Sequence, residues 1–379
     1  MPVTLLVGAE DSTQNTSNNV RDMDAPVHDL EPNAAPLTVL MEKMGTFPAI
    51  NPKIEWNENE SMPRVTTISA SAASNATVWG VTADIFRVND VVRFTAGGFA
   101  VVITATAAGA VSGTKIGGTA QVSAASLAEV YIVSNANTEG ASLREIKHPQ
   151  LVNASNYAQI IRTPFGVTGT EEATKHYNAN PQVGGGSERA RLQKYFGIMH
   201  ARSQEDTFFF GARDISGTQR FCGGLREFIS TNVTNDSGGT TEAEWQTFLK
   251  TGFRYGSRRK VAFCSPTAIS VLEGYARSNI KTEGSQDHAD TYGIVMSTYV
   301  SGQGTVDLIC HVDWQDSATY GAYIFLVDMD AVKKRPLRDT KLRQGVQAPD
   351  YDGFKDEYLT ETSLQVTHER RHALLTGVA

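Results

Sequence analysis

The longest uninterrupted helical pattern in the chain runs from Ser187 to Phe210, and it restricts what the remaining residues can build. Ser187 is a good N-cap, because its hydroxyl can accept a bond from an unpaired first-turn N–H. Glu188 follows at the positive end of the helix dipole. Leu192, Tyr195, Phe196 and Met199 recur at i, i+3, i+4 and i+7, one apolar face of an α-helix. The span predicts a rod on the order of 35 Å. Gln204, Glu205 and Asp206 then precede Phe208, Phe209 and Phe210, which puts apolar groups on more than one face. A long helix with two apolar faces needs two surfaces, its own domain and a neighbouring copy.

The 379 residues have room for two or three domains with cores of their own. With 40% hydrophobic and 20% charged residues, wholesale disorder is excluded. A net charge of −7 argues against a dedicated nucleic-acid binder, whose affinity comes from surplus Lys and Arg. Cys222, Cys264 and Cys310 are widely spaced with no CxxC, so they read as reduced thiols and not as a disulfide scaffold or zinc site. The start, MPVTLLVGAE, lacks the basic region of a signal peptide. Phe94 to Gly113 carries no charge, but it is mostly Ala, Gly and Thr with glycine breaks. It reads as strand–turn–strand and not as a membrane span.

Residues 1 to about 35 read as a polar extended arm, and Leu37 to Met44 as a short helix stopped by Gly45 and Pro48. Residues 51–65 leave the body as an extended segment holding Trp56. Between Thr66 and Val133 charge nearly vanishes, and runs such as ATVWGV, DVVRF, AVVITAT and EVYIV predict a small all-β module. Residues 134–163 form the return leg. A two-stranded arm of this kind is unstable alone in water, so it is expected to lie on another subunit. After the long helix come a Gly-hinged link (217–232), a helix opened by Thr241, the strand VAFCSP, a helix from Pro266, strands at 306–312 and 322–328, the basic connector Lys333 to Arg338, and a C-terminal return to β structure.

Several motifs invite sharper chemistry. Gly184-Gly185-Gly186-Ser187 could cradle a phosphate at a helix N-terminus, but it lacks the Gly-Lys-Ser/Thr of a P-loop and reads as a hinge. Glu171-Glu172 and Glu205-Asp206 are adjacent pairs that diverge on a helix, so ion pairing with Arg189, Arg191, Arg202 and Arg213 is the expectation. His368 to His372, HERRH, matches the HExxH frame of a zinc protease helix. Arg370 and Arg371 inside it, the strand-like run before it and the lack of a third downstream ligand favour a chance match. Asp328-Met329-Asp330 could hold Mg²⁺ but reads as a strand-end turn. The cluster around Lys333, Lys334 and Arg335 could touch DNA, and more readily meets acidic partners at a subunit interface.

The order of arm, extended excursion with β insert, TPFGVTGTEEA, Gly break and long helix, GGLREFISTN, TEAEWQTFLK, DMDAVKKRPLR and TETSLQVTHERRHALLTG resembles the bacteriophage major capsid proteins of the HK97 fold. It is nearest the SU10-like branch, which carries a β insertion in the extended loop. The resemblance implies an α+β fold divided into an N-terminal arm (1–36), a peripheral domain (37–51, 169–260 and 331–379) with its spine helix at about 187–210, an extended loop (52–168) with an inserted β domain at about 66–133, and an axial domain (261–330). It implies an icosahedral head around double-stranded DNA, without sequence-specific DNA binding, catalytic residues, metal or cofactor. The implied partners are further copies of the chain in hexamers and pentamers, a separate scaffolding protein, a portal and a decoration protein, with synthesis in the bacterial host cytoplasm and residence in the virion. An encapsulin-like nanocompartment shell is the alternative, with a zinc hydrolase more remote. The expected subunit-interface residues are Trp56, Glu58 and Glu60 on the outgoing leg, Arg189, Arg191, Arg202 and Glu205 on the spine, and Lys333, Lys334 and Arg335 on the connector.

Overall fold

In a computed structural model the chain divides into two compact units, residues 57–153 and the remainder. The structure describes residues 35–71, 76–95, 98–117, 128–174, 188–236, 239–276 and 296–378. The N-terminal arm, the Gly184–Gly186 hinge, Ser187 and most of the polar stretch 279–305 lie outside them.

In chain order the elements are α1 (Pro36–Met44), β1 (Lys53–Glu58), β2 (Val65–Thr67), β3 (Val78–Gly80), β4 (Asp90–Phe94), β5 (Ala100–Ala107), β6 (Ala110–Lys115), β7 (Glu129–Asn135), β8 (Val152–Tyr157), β9 (Gln159–Thr168), α2 (Gly169–Ala173) and α3 (Glu188–Phe210). There follow β10 (Asp214–Ser216), β11 (Gln219–Phe221), α4 (Leu225–Phe228), β12 (Val233–Asn235), α5 (Glu242–Gly252), β13 (Arg259–Cys264), α6 (Pro266–Ala276), β14 (Met296–Ser301), β15 (Gly304–Cys310), β16 (Tyr323–Val327), β17 (Val332–Arg343), β18 (Gly353–Val366) and β19 (Ala373–Thr376).

The smaller unit is a six-stranded barrel in the order β2-β7-β4-β5-β6-β3. Its two ends meet through an Ile68–Val81 bridge and the backbone bonds Ser69 N–H to Gly80 O and Thr82 N–H to Thr67 O. Among the described residues, closure leaves no long edge free to recruit a foreign strand. Trp79, Phe86, Phe94, Val101 and Ile103 fill the interior. Gly113 is obligatory there: a Cβ would sit 2.4 Å from the Val101 side chain. Residues 136–151 have no regular structure but are strapped to the barrel. Arg144 reaches buried Asp90 at 2.5 Å, and Lys147 donates to the Phe86 carbonyl. The barrel body is thus wider than the insert expected at 66–133, because these side chains tie the return leg to it.

The larger unit holds a six-stranded sheet, β12-β19-β16-β13-β15-β14, and a three-stranded sheet, β17-β18-β9. In the first, β13 and β15 run parallel, as do β12 and β19. Strand β16 is buried along its whole length. Its Ile324 and Leu326 join Trp245, Phe248 and Leu249 of α5, while Phe325 and Val327 join Phe208 and Phe209 of α3. Helix α5 opens with a complete capping box between Thr241 and Glu244.

Two sets of strand pairings cross the boundaries expected from sequence. Residues 159–168, expected within the extended loop, form β9 and pair along β18 from Thr168–Gly353 to Gln159–Thr362. Residues 331–379 do not stay together: β17 and β18 build the three-stranded sheet, and β19 pairs with β16 and β12 in the six-stranded one. The turn at 369–371 redirects the chain, and the apolar run Ala373–Leu375 is buried between two strands.

Candidate subunit-interface residues

Helix α3 lies on one face of the three-stranded sheet, and the stripe it turns inward is largely polar. Arg189 forks onto Asp356 with two bonds of 2.8 Å and stacks on Phe354 at 4.6 Å. The guanidinium holds the Asp356 carboxyl below its ordinary range. One turn on, Gln193 accepts the Tyr358 hydroxyl through its carbonyl. Phe196 stacks on Phe165, and Gly197 lies against the Tyr358 ring. His200 is buried between Thr163 on Nδ1 (2.8 Å) and Thr360 on Nε2 (2.7 Å), and burial lowers its pKa. The predicted face of Leu192, Tyr195, Phe196 and Met199 is only part-covered; Tyr195 remains 38% exposed. The apolar positions were legible, but the sheet-facing side is set by carboxylates and hydroxyls of β18, which the helix's own period does not reveal.

The expected interface cations find partners inside the chain. Arg191 pairs with Glu188 one turn away at 2.6 Å, and Arg202 with Asp313 at 2.8 Å. Lys334 is buried and meets Glu42 at 2.6 Å. Arg335 donates to Gln365, and Lys333 lies over the Phe47 ring at 4.4 Å. Glu205 is buried and caps α1 from a distance: its carboxylate accepts the N–H groups of Leu37 (2.7 Å) and Thr38 (2.8 Å) and the Thr38 hydroxyl (2.6 Å). That supplies the cap which Ala35, at the N-cap position, cannot. The buried His311 ring stands 3.7 Å from the same carboxylate and stacks on Trp314.

Trp56 is a core residue. Strand β1 alternates, so Ile54 and Trp56 turn inward with Ala49 against Phe228, Ala154 and Leu337. Its ring is therefore closed to a neighbour, contrary to the expectation for the outgoing leg. Glu58 is part-buried at the end of β1 and Glu60 is exposed.

On the face of the three-stranded sheet turned away from α3, β18 places Glu357 and Glu361, 3% and 4% exposed. Each is held between two arginines. Arg162 of β9 and Arg343 of β17 meet Glu357, the latter at 2.8 Å. Arg220 of β11 (2.8 Å) and Arg338 of β17 (2.7 Å) meet Glu361. No short motif marks these residues, although a basic run at 332–343 followed by an acidic one at 353–361 is the signature of a charged antiparallel pair.

The HERRH stretch forms no α-helix. His368 takes a left-handed backbone (φ 53°), and residues 369–371 make a single 3₁₀ turn, so the two histidines do not share a helical face. Glu369 accepts Ser230 N–H at 2.9 Å and its hydroxyl at 2.7 Å. His372 is buried and accepts the Asp328 N–H through Nδ1. Burial, then the nearby Lys260 ammonium, pushes its pKa down to about 3. Asp328 is clamped by Arg371 at 2.8 Å and by Ser257 N–H at 2.9 Å.

A family model described as SU10 major capsid protein matches residues 10–379. No curated protein matches the chain. Among solved structures, the capsid asymmetric unit of cyanophage A-1(L) is similar at TM-score 0.55 and 10% identity, covering 97% of this chain and 99% of that one. The capsid of the native GTA particle gives TM-score 0.52 at 8% identity, with 99% and 100% covered. Mycobacterium phage Ogopogo gives 0.52 at 7%, with 97% and 99% covered. At such identities these likenesses show the fold.

Proposed function

The chain belongs to the SU10 major capsid protein family, and from that premise we propose how its parts serve a phage head. As a major capsid protein of HK97-like fold it forms an icosahedral shell from copies of itself. The family match over nearly the whole chain carries this reading and sets the nanocompartment alternative aside.

In our reading the unit containing α3 supplies the peripheral and axial domains, residues 57–153 extend the loop, and residues before α1 act as an arm. The half-covered side of α3, with Leu192, Tyr195 and Met199, takes an adjacent copy, as a helix with a second apolar side requires. Glu58 and Glu60 on the outgoing leg, with Lys333 and Arg335 on the connector, are further contacts we assign to neighbours. A scaffolding protein, a portal and a decoration protein are the assembly partners we propose, with synthesis in the bacterial host cytoplasm and double-stranded DNA as the cargo. The chain's net charge of −7 suits a container that must not adhere to the polymer it fills.

Negative-stain electron microscopy beside size-exclusion chromatography tests the assembly reading. Closed shells, or pentamers and hexamers, are expected. A monomer at every concentration, unchanged by co-expression with the scaffolding protein, overturns it.

A further inference from the structure

We propose that the face of the three-stranded sheet turned away from α3 is a receiving surface for carboxylates of a second copy of this chain. The inference rests on the shell reading and goes beyond it by naming the surface and its chemistry.

Register places the groups together. Arg162 stands opposite Leu359, Lys341 opposite the same residue from the other side, and Arg343 opposite Glu357. Arg338 and Arg220 flank Glu361, and Lys355 lies two residues before Glu357 on the same strand. The two carboxylates are buried, yet the side chains of Arg162, Arg343 and Arg338 remain 57%, 53% and 49% exposed. Each guanidinium offers five donors in a fixed plane, so a carboxylate engaging one edge leaves others directed outward. Glu357 and Glu361 thus hold the forks in place without using them up. An arginine already immobilised loses less freedom when a second carboxylate docks. The face also has an apolar component, with Ile160 44% exposed beside a recess of about 260 Å³ lined by Arg220 and Phe221.

Charge complementarity selects the occupant. The chain carries 41 acidic against 34 basic residues, so a cationic face on one copy leaves the rest of any other copy with a larger acidic surplus. A strong nucleic-acid face is built from uncompensated cations. Here two carboxylates sit among the cations, which lowers the potential while keeping geometry that suits discrete acidic side chains.

The test compares free subunits with DNA-free shells. Lys341 and Lys355 are exposed and lie on this face, so an amine-acylating reagent reads its accessibility. Both should be labelled in the subunit and lose labelling in the shell. In isotopically mixed shells a carbodiimide should link one of them to a carboxylate of a different copy. Unchanged labelling in shells overturns the proposal. Protection only in DNA-filled heads also overturns it, in favour of nucleic acid. The double variant Lys341→Glu with Lys355→Glu leaves all four arginine–glutamate pairs intact, and it should give folded subunits by circular dichroism that assemble poorly. Normal assembly of that variant counts against the surface, whereas failure of the unaltered chain to form shells fails the shell reading itself.

Discussion

Single side chains tie this protein's stability to pH. His372 is held neutral in the folded chain with its pKa lowered to about 3, whereas in the unfolded chain it titrates near 6.5. As pH falls below about 6.5 the unfolded state takes up a proton that the folded state refuses. Stability is then lost at up to about 1.4 kcal/mol per pH unit until the folded pKa is reached. Urea denaturation at several pH values between neutral and acid should show this slope, and His372→Gln should flatten it. An identical slope in the variant would assign the acid sensitivity elsewhere. Little at this scale was readable beforehand. HERRH could be recognised as a string, but whether His372 faced a metal or a core depended on a turn at 369–371 and on Asp328, more than forty residues away.

At the scale of elements, α1 depends on a carboxylate 167 residues away. Its first turn has no side-chain cap of its own, and Glu205 satisfies two of its amides and a hydroxyl. Glu205→Ala should lose about 3 kcal/mol, since buried amides would be left without acceptors. Hydrogen exchange at Leu37 and Thr38 should accelerate before that of β16. Unaltered protection at both amides would show that another group caps the helix. The existence of α1, α3, α5 and α6 was legible, because capping residues, proline starts and helical periods are local signals. The direction in which α3 presents itself was not. Its sheet-facing stripe includes Arg189, Gln193 and His200, whose partners come from β9 and β18, so the apolar period found Phe196 on the sheet side but not the polar groups beside it. Glu205 likewise looked like a surface ion-pair member from sequence, because its partners are backbone groups far away in the chain.

For the whole molecule, the order of weak motifs gave the architecture, and the structure adds where the chain changes sheet. Ala373–Thr376 fits a strand in either sheet equally well by sequence, and the pairing with β16 is decided by apolar neighbours contributed from elements far apart in the chain, α5, α6 and β13 among them. Replacing residues 57–153 by a short turn should leave a soluble subunit, because the two units hold separate cores. The shells formed should be weaker or altered in size by electron microscopy, and shells indistinguishable from the full-length ones would deny that unit a part in assembly. The closed barrel is entered and left through β1 and β8, which pair as a two-stranded sheet, with Asn57 and Asn153 joined side chain to side chain at 3.1 Å. Paired strands lie about 5 Å apart. The gap at 57 and 153 is therefore a socket of fixed width. Any independently folding domain whose own termini sit side by side could be spliced there, and a head built from such chains would carry one passenger on every subunit.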